Sequence, residues 1–233
     1  MLVKYSTTEL HYHCRHVAIM LLWLSSLLLL AQDTNQFEPE IVAFEEEDKK
    51  NGYQENFALF TGSSSIRLWH SISQDMKGFD PLNRGFGGST LQELNHYWGR
   101  ISAKHKPDVV VVYCGENDIA QGRTVEQTVE AFEAFVALYK ETYPEVPLIY
   151  IAMKPSIARW NLWGQYQQAD VQIERIIEET DNATFIDLSK SMFEDGVLKE
   201  GIFIEDGLHM NKAGYQGWKR QLRPLIKAQL DAK

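Results

Sequence analysis

A three-layer α/β sandwich around a parallel sheet is the fold that this chain predicts, on three observations. Strand-like and helix-like segments alternate from about residue 57 onward, and that alternation calls for parallel pairing through right-handed crossovers. The clearest strand, PDVVVVYCG, holds consecutive β-favouring residues with no polar face, as a strand buried on both sides requires. Clusters of Gly, Ser, Asn and Asp follow the strands, and open parallel sheets bind ligands beyond the carboxyl ends of their strands.

The elements follow in order. FEPEIVAFEEEDKKNG carries Ile41 and Phe44 three apart and then Asn51-Gly52, which reads as a lead-in helix and a turn, with EEEDKK as a solvated face. FALFT is a short apolar strand, followed by a helical segment from Ser65 to about Ser73 and a weaker extended piece near Phe79 to Asn83. TLQELNHYWGRI spaces Leu91, Leu94 and Trp98 for one helical face. After the VVVVY strand, Val125, Val129, Phe132, Val136 and Tyr139 form one helical stripe that Pro144 ends. VPLIYIAM is a fourth strand, Gln165 to Thr180 a helix, ATFIDLS a fifth strand. The last helix, Lys212 to Leu230, turns Tyr215, Trp218, Leu222 and Leu225 inward.

Length and composition bound the function. The 233 residues, with 44% hydrophobic and 24% charged, suit one globular domain, residues 32–233. Ahead of it, the uncharged run Val17 to Ala31 is shorter than the roughly 20 residues of a comfortable membrane span. Residues 1–31 therefore read as a secretory signal, with an uncleaved N-terminal anchor as the alternative because Leu29 is large where a cleavage site takes a small residue. Either reading implies an exported protein, periplasmic or secreted. Without Lys4, Arg15 and Glu9 of that segment, a net +1, the formal charge of −9 becomes −10. No Lys/Arg cluster offsets it, which argues against nucleic acid as a partner and leaves the membrane only to the N-terminal segment. Cys14 lies in the leader, so Cys114, after VVVVY, is a solitary core thiol.

Four polar clusters converge on one sheet edge: GSSS at 62–65, NRGFGGST at 83–90, GENDIA at 115–120 and EDGLHMN at 205–211. A serine set at a strand-to-helix turn needs a base, an orienter for the base and donors for an oxyanion. Asp206 and His209, three apart, can place a carboxylate beside an imidazole. Gly88 lacks a Cβ, so its N–H can approach an oxyanion closely. Asn117 offers a side-chain amide with donor hydrogens, and Asp118 can serve as a helix N-cap. The glycines of NRGFGGST do not make a dinucleotide-binding fingerprint.

These blocks, in this order, resemble the SGNH hydrolases, also called the GDSL esterase/lipase family, over about residues 55–230. The resemblance is to a subgroup with GSSSIRLW in the first block. It implies a serine carboxylic ester hydrolase with Ser64 as nucleophile, Asp206 and His209 completing a triad, and the N–H groups of Ser64 and Gly88 with Asn117 as the oxyanion hole. It also implies a flavodoxin-like sheet of five parallel strands in order 2-1-3-4-5, no cofactor and no metal. Ser63 departs from the family by standing where it has aspartate, which puts rate and substrate preference in question. Ser65 is the alternative hydroxyl.

For the substrate, Arg67, Lys154, Arg159 and Trp160 are candidate contacts at the rim, with Trp69 and Trp163 divided between rim and core. Aromatic and basic side chains there suit a sugar or polar head group, and no long apolar lid is evident. Short acyl esters, such as acetyl groups on carbohydrate, are the expected substrates. A lysophospholipase or thioesterase would keep the same triad, and a non-catalytic glycan-binding module would keep only the fold.

Overall fold

Five short apolar runs become the five strands of one sheet, and the polar clusters that follow them meet at its carboxyl edge. The computed structural model describes residues 34–231; the proposed signal or anchor, residues 1–31, lies outside the described residues. The chain opens with α1 (Glu38–Asn51), then β1 (Ala58–Gly62), α2 (Ser64–Arg67), α3 (Ile72–Asp75), β2 (Leu82–Gly85), α4 (Leu91–Ile101) and β3 (Val109–Tyr113). It continues through α5 (Glu116–Ala120), α6 (Val125–Thr142), β4 (Leu148–Ile151), α7 (Trp163–Glu178) and β5 (Ala183–Ile186). A small hairpin, β6 (Phe193–Glu194) with β7 (Val197–Leu198), precedes α8 (Lys212–Asp231).

The sheet runs β2-β1-β3-β4-β5 with every neighbouring pair parallel, the order that the family resemblance implies. Side chains alternate across it. Val110, Val112 and Leu148 face a layer carrying Ile41, Leu94, Trp98, Phe132, Phe135 and Ile173 from α1, α4, α6 and α7. Val109, Val111, Tyr113 and Ile149 face Ile66 of α2, Trp69 just after it, and Trp218, Leu222 and Ile226 of α8. Two faces covered by helices explain why β1 and β3 are buried at every residue.

Local chemistry sets where the helices start. Thr90 and Glu93 form a capping box at the head of α4, and Thr124 and Gln127 another at α6. Both hydroxyls accept from the third residue of the helix, so two helices that flank the site begin at fixed points.

Several expectations are corrected. The segment after Ser63 is two short helices, α2 and α3, separated at Leu68–Ser71. The second strand is Leu82–Gly85, a little beyond Phe79–Asn83. In α8 the inward positions run Tyr215, Trp218, Leu222 and Ile226, while Leu225 is only half-buried; a spacing of four carries the stripe past Pro224, which the helix accommodates. The β6–β7 hairpin turns on Asp195-Gly196, a two-residue signature with both residues at positive φ, but its strands are too short for a periodic pattern and it is absent from the sequence expectations.

The acidic run of α1 is more than a solvated face. Arg84 on β2 is 1% exposed; its guanidinium donates to Glu47 at 2.6 Å and to Asp48, and stacks over Phe44 with 4.9 Å to the ring centroid. The other Asp48 oxygen lies 3.1 Å from His105 Nε2, and His105 Nδ1 accepts from the Gln54 amide at 3.1 Å. Those partners define the neutral tautomer, with the proton on Nε2, and burial lowers the His105 pKa in the same sense, against the pull of Asp48. Residues that read as surface charge thus pin the edge strand to the first helix.

Among the described residues no helix is long and apolar enough to cross a membrane, and no group of three His, Cys, Asp or Glu side chains is placed to hold a metal ion.

Removing one member of a buried charge pair leaves the other uncompensated, at a cost of about 3–5 kcal/mol. The Arg84→Ala variant is expected to lose that much stability in denaturant titration, because Asp48 stays buried beneath it.

Candidate active site

Gly62 ends β1 at φ +115°, and a Cβ there would lie 2.0 Å from the Tyr113 carbonyl oxygen. Only glycine lets β1 approach β3 this closely while turning the chain outward. The next amide, Ser63 N–H, donates to the same Tyr113 oxygen at 2.8 Å, and the Gly62 carbonyl accepts from Phe86 N–H at 3.0 Å. Ser64 therefore leaves the sheet edge at the first position of α2, held between strands on either side.

The imidazole that meets Ser64 comes from the opposite end of the chain. Ser64 Oγ is 2.8 Å from His209 Nε2, across a separation of 145 residues, and His209 Nδ1 is 2.6 Å from Asp206 Oδ2. The other Asp206 oxygen accepts from the amides of Leu208 and His209 at 2.8 and 2.9 Å, so the carboxylate is fixed by its own turn. Partial burial would raise the Asp206 pKa, but the His209 ring and those two amides outweigh it and hold the group at about 2. At neutral pH Asp206 is thus a carboxylate able to orient an imidazole.

The candidate oxyanion donors are assembled by one loop and one helix turn. Gly88 sits at φ +72° with open space where a Cβ would be; the backbone dihedral, rather than crowding, is what selects glycine there. Asn117 Nδ2 donates to the Ser89 carbonyl at 3.0 Å, and its Oδ1 accepts from Arg159 Nη1 at 2.9 Å. One Nδ2 hydrogen is left for a ligand. Ser64 and Gly88 are likewise without a backbone or side-chain acceptor for their N–H groups among the described residues.

Two further carboxylates, not singled out as site residues in the sequence, lock these pieces. Asp118 does not cap its own helix, which begins at the left-handed Gly115. It instead accepts from the Leu91 amide, at 3.0 and 3.2 Å, tying α4 and the Gly88 loop to α5. Burial raises its pKa to about 7, against the Leu91 amide and Arg123, which pull it down. Glu116 is buried and accepts from Lys154 Nζ and Arg159 Nη1, each at 3.2 Å, and from the Tyr113 hydroxyl. The letters GEND gave the position of both, but apart from Tyr113 the partners named here, Leu91, Lys154 and Arg159, lie far away in sequence.

The rim residues divide. Lys154 is corrected: it is 2% exposed, and its Nζ also donates to the Leu208 carbonyl at 2.8 Å, beneath the edge instead of on it. Trp69 is core, stacked on Tyr215 and donating to Asp75 at 2.9 Å. Trp163 packs partly buried at the start of α7. Arg67 is exposed, 3.8 Å from Glu40, which also accepts from the Gly87 amide. Trp160, 51% exposed, lines a groove of about 430 Å³ with Ile157, Val197 and Leu198. Cys114 is fully buried, and burial raises its pKa well above that of a free thiol.

The model of the GDSL-like Lipase/Acylhydrolase family matches residues 52–216. A multidomain esterase of Ruminococcus flavefaciens is 20% identical over 174 residues, covering 64% of this chain; the chain spans only 22% of that relative's length. Among solved structures, one from Streptococcus pneumonia, described provisionally as a platelet activating factor, superposes with TM-score 0.72 at 19% identity, over 90% of this chain and 99% of that one. A GDSL-like lipase of Bacteroides thetaiotaomicron gives 0.65 at 18%, over 84% and 98%. An acetyl xylan esterase of Geobacillus stearothermophilus gives 0.58 at 18%, over 75% and 96%.

Asp118 makes a pH prediction. Its folded pKa of about 7 lies above the ordinary 3.8, so between those values the folded state holds a proton that the unfolded state has lost. Stability contributed by this group is full below about pH 4 and falls as pH rises toward 7. Asp118→Asn, which can still accept from Leu91, is expected to flatten that fall in thermal midpoint measured across pH 4–7.

Proposed function

The chain belongs to the GDSL-like lipase/acylhydrolase family, and from that premise we propose that it is a serine esterase in which Ser64 attacks the ester carbonyl. The reading is carried by the continuous chain Ser64 Oγ–His209 Nε2–Asp206, at 2.8 and 2.6 Å. His209 takes the serine proton as the carbon–oxygen bond forms, while Asp206 holds the ring and stabilises the imidazolium. Negative charge gathers on the former carbonyl oxygen, facing the Ser64 and Gly88 amides and Asn117. Collapse expels the alcohol, which takes the proton from His209 and leaves an acyl-enzyme. Water, deprotonated by His209, repeats the sequence and releases the acid. Ser63 precedes the nucleophile without a side-chain cap bond to α2, so the missing family carboxylate removes no link of this proton path.

Short acyl esters carried on carbohydrate are the proposed substrates. An exposed Trp160 supplies a flat apolar face of the kind on which sugar rings stack, and the acetyl xylan esterase among the structural relatives supports the same class. The Ile157–Trp160–Val197–Leu198 groove favours a second reading, an apolar acyl chain laid beside Trp160. An exported setting belongs to the proposal through the apolar run Val17 to Ala31.

Hydrolysis of p-nitrophenyl esters from acetyl to octanoyl tests both parts. Ser64→Ala is expected to lose activity by about 10⁴-fold or more, and the parent chain to prefer acetyl. Full activity in the Ser64→Ala protein would overturn the nucleophile; rates that climb toward octanoyl would favour the acyl-groove reading.

A further inference from the structure

Arg159 reads from the sequence as a rim residue aimed at substrate. Its side chain is 23% exposed, and its Nη1 is engaged by two protein acceptors, Glu116 Oε1 at 3.2 Å and Asn117 Oδ1 at 2.9 Å. An asparagine amide is nearly symmetric in shape, so its neighbours alone decide which end carries the donors. Here both neighbours agree. The Ser89 carbonyl can only accept, and it takes Nδ2; the guanidinium can only donate, and it takes Oδ1. Flipping the amide would set NH₂ against a cation and oxygen against a carbonyl.

We infer that Arg159 is a positioning residue for the oxyanion hole, which keeps the Asn117 Nδ2 hydrogen not taken by Ser89 turned toward the reacting carbonyl. A charged donor on Oδ1 also polarises the amide and strengthens Nδ2 as a donor. Glu116 holds the guanidinium in place. Buried between Lys154, the Tyr113 hydroxyl and Arg159, it accepts from the same Nη1 that donates to Asn117 Oδ1, and so fixes that nitrogen beside the amide. The arrangement relies on bonds between β4's trailing loop and α5, so it exists before substrate arrives. This inference rests on Asn117 as an oxyanion donor.

The test is a double-mutant cycle on the full chain, with kcat and KM for p-nitrophenyl acetate measured for the parent, Arg159→Ala, Asn117→Ala and the double variant. Loss of one oxyanion donor typically costs 10²- to 10³-fold. Asn117→Ala is expected in that range, and Arg159→Ala at about tenfold to a hundredfold in kcat with KM within about twofold. In the Asn117→Ala background, Arg159→Ala should cost no more than about twofold further. Should Arg159→Ala fail to fold by circular dichroism, Arg159→Lys keeps a cation beside Glu116 and replaces it in the cycle, with an expected several-fold loss of kcat that vanishes in the Asn117→Ala background. A raised KM at unchanged kcat would make Arg159 a substrate contact and overturn the inference. An equal loss in both backgrounds would do the same, since it would show a charge acting directly on the oxyanion. Asn117→Ala with parental activity would overturn the oxyanion reading as well; an impaired Asn117→Ala beside an unaffected Arg159→Ala would overturn this inference alone.

Discussion

The contact on which the site depends is the one between Gly62 and the Tyr113 carbonyl. Strands β1 and β3 are central neighbours, and the elements that leave their carboxyl ends carry the serine and the asparagine. Their mutual spacing is set where the strands part. With a Cβ position 2.0 Å from Tyr113 oxygen, a side chain at residue 62 would force the strand ends apart and move both elements. The same glycine's carbonyl accepts from Phe86 N–H and Ser89 Oγ, so the Gly88 loop is referenced to the same point. Three components of the site thus take their coordinates from one residue without a side chain.

The other half is referenced to the segment after β4. Ala158 N–H donates to the Gly207 carbonyl at 3.1 Å and Lys154 Nζ to the Leu208 carbonyl at 2.8 Å, which fixes the turn bearing Asp206 and His209. Residues 154–159 therefore hold the turn that bears Asp206 and His209 on one side and Asn117 on the other. Burying Lys154 and Glu116 together costs desolvation that mutual attraction and hydrogen bonds must offset. Their value here is geometric, since an apolar pair of equal volume could not orient either a carbonyl-bearing turn or a guanidinium.

Much of the fold was legible because its signals are local. VVVVY and the Val125–Tyr139 stripe each declare themselves within a short stretch, and alternation then fixes the layers. The four polar blocks were legible as positions for the same reason. What sequence could not give is pairing. Asp48 reads as one more acid in EEEDKK until Arg84 and His105 arrive from β2 and the loop after α4. Lys154 reads as a rim cation until Glu116 is placed beneath it. Asp118 reads as a cap for its own helix and instead caps the Leu91 amide of another. Each error puts a polar side chain in water when a distant partner in fact buries it, and charge alone does not distinguish the two. The β6–β7 hairpin escaped for a different reason, since two-residue strands have no period.

The distance along the chain between Ser64 and His209 has a consequence for biosynthesis. A ribosome delivers Ser64 early and its hydrogen-bond partner His209 145 residues later, and Tyr215, whose hydroxyl donates to the Ser65 carbonyl at 2.8 Å, follows a few residues after that. The strands that define the serine's position can pair while the rest is still being made. Throughout that interval the Ser64 hydroxyl lacks its imidazole partner. On the proposed mechanism the serine therefore gains its reactivity late, when the residues that lead into α8 return to the sheet edge where translation placed it long before.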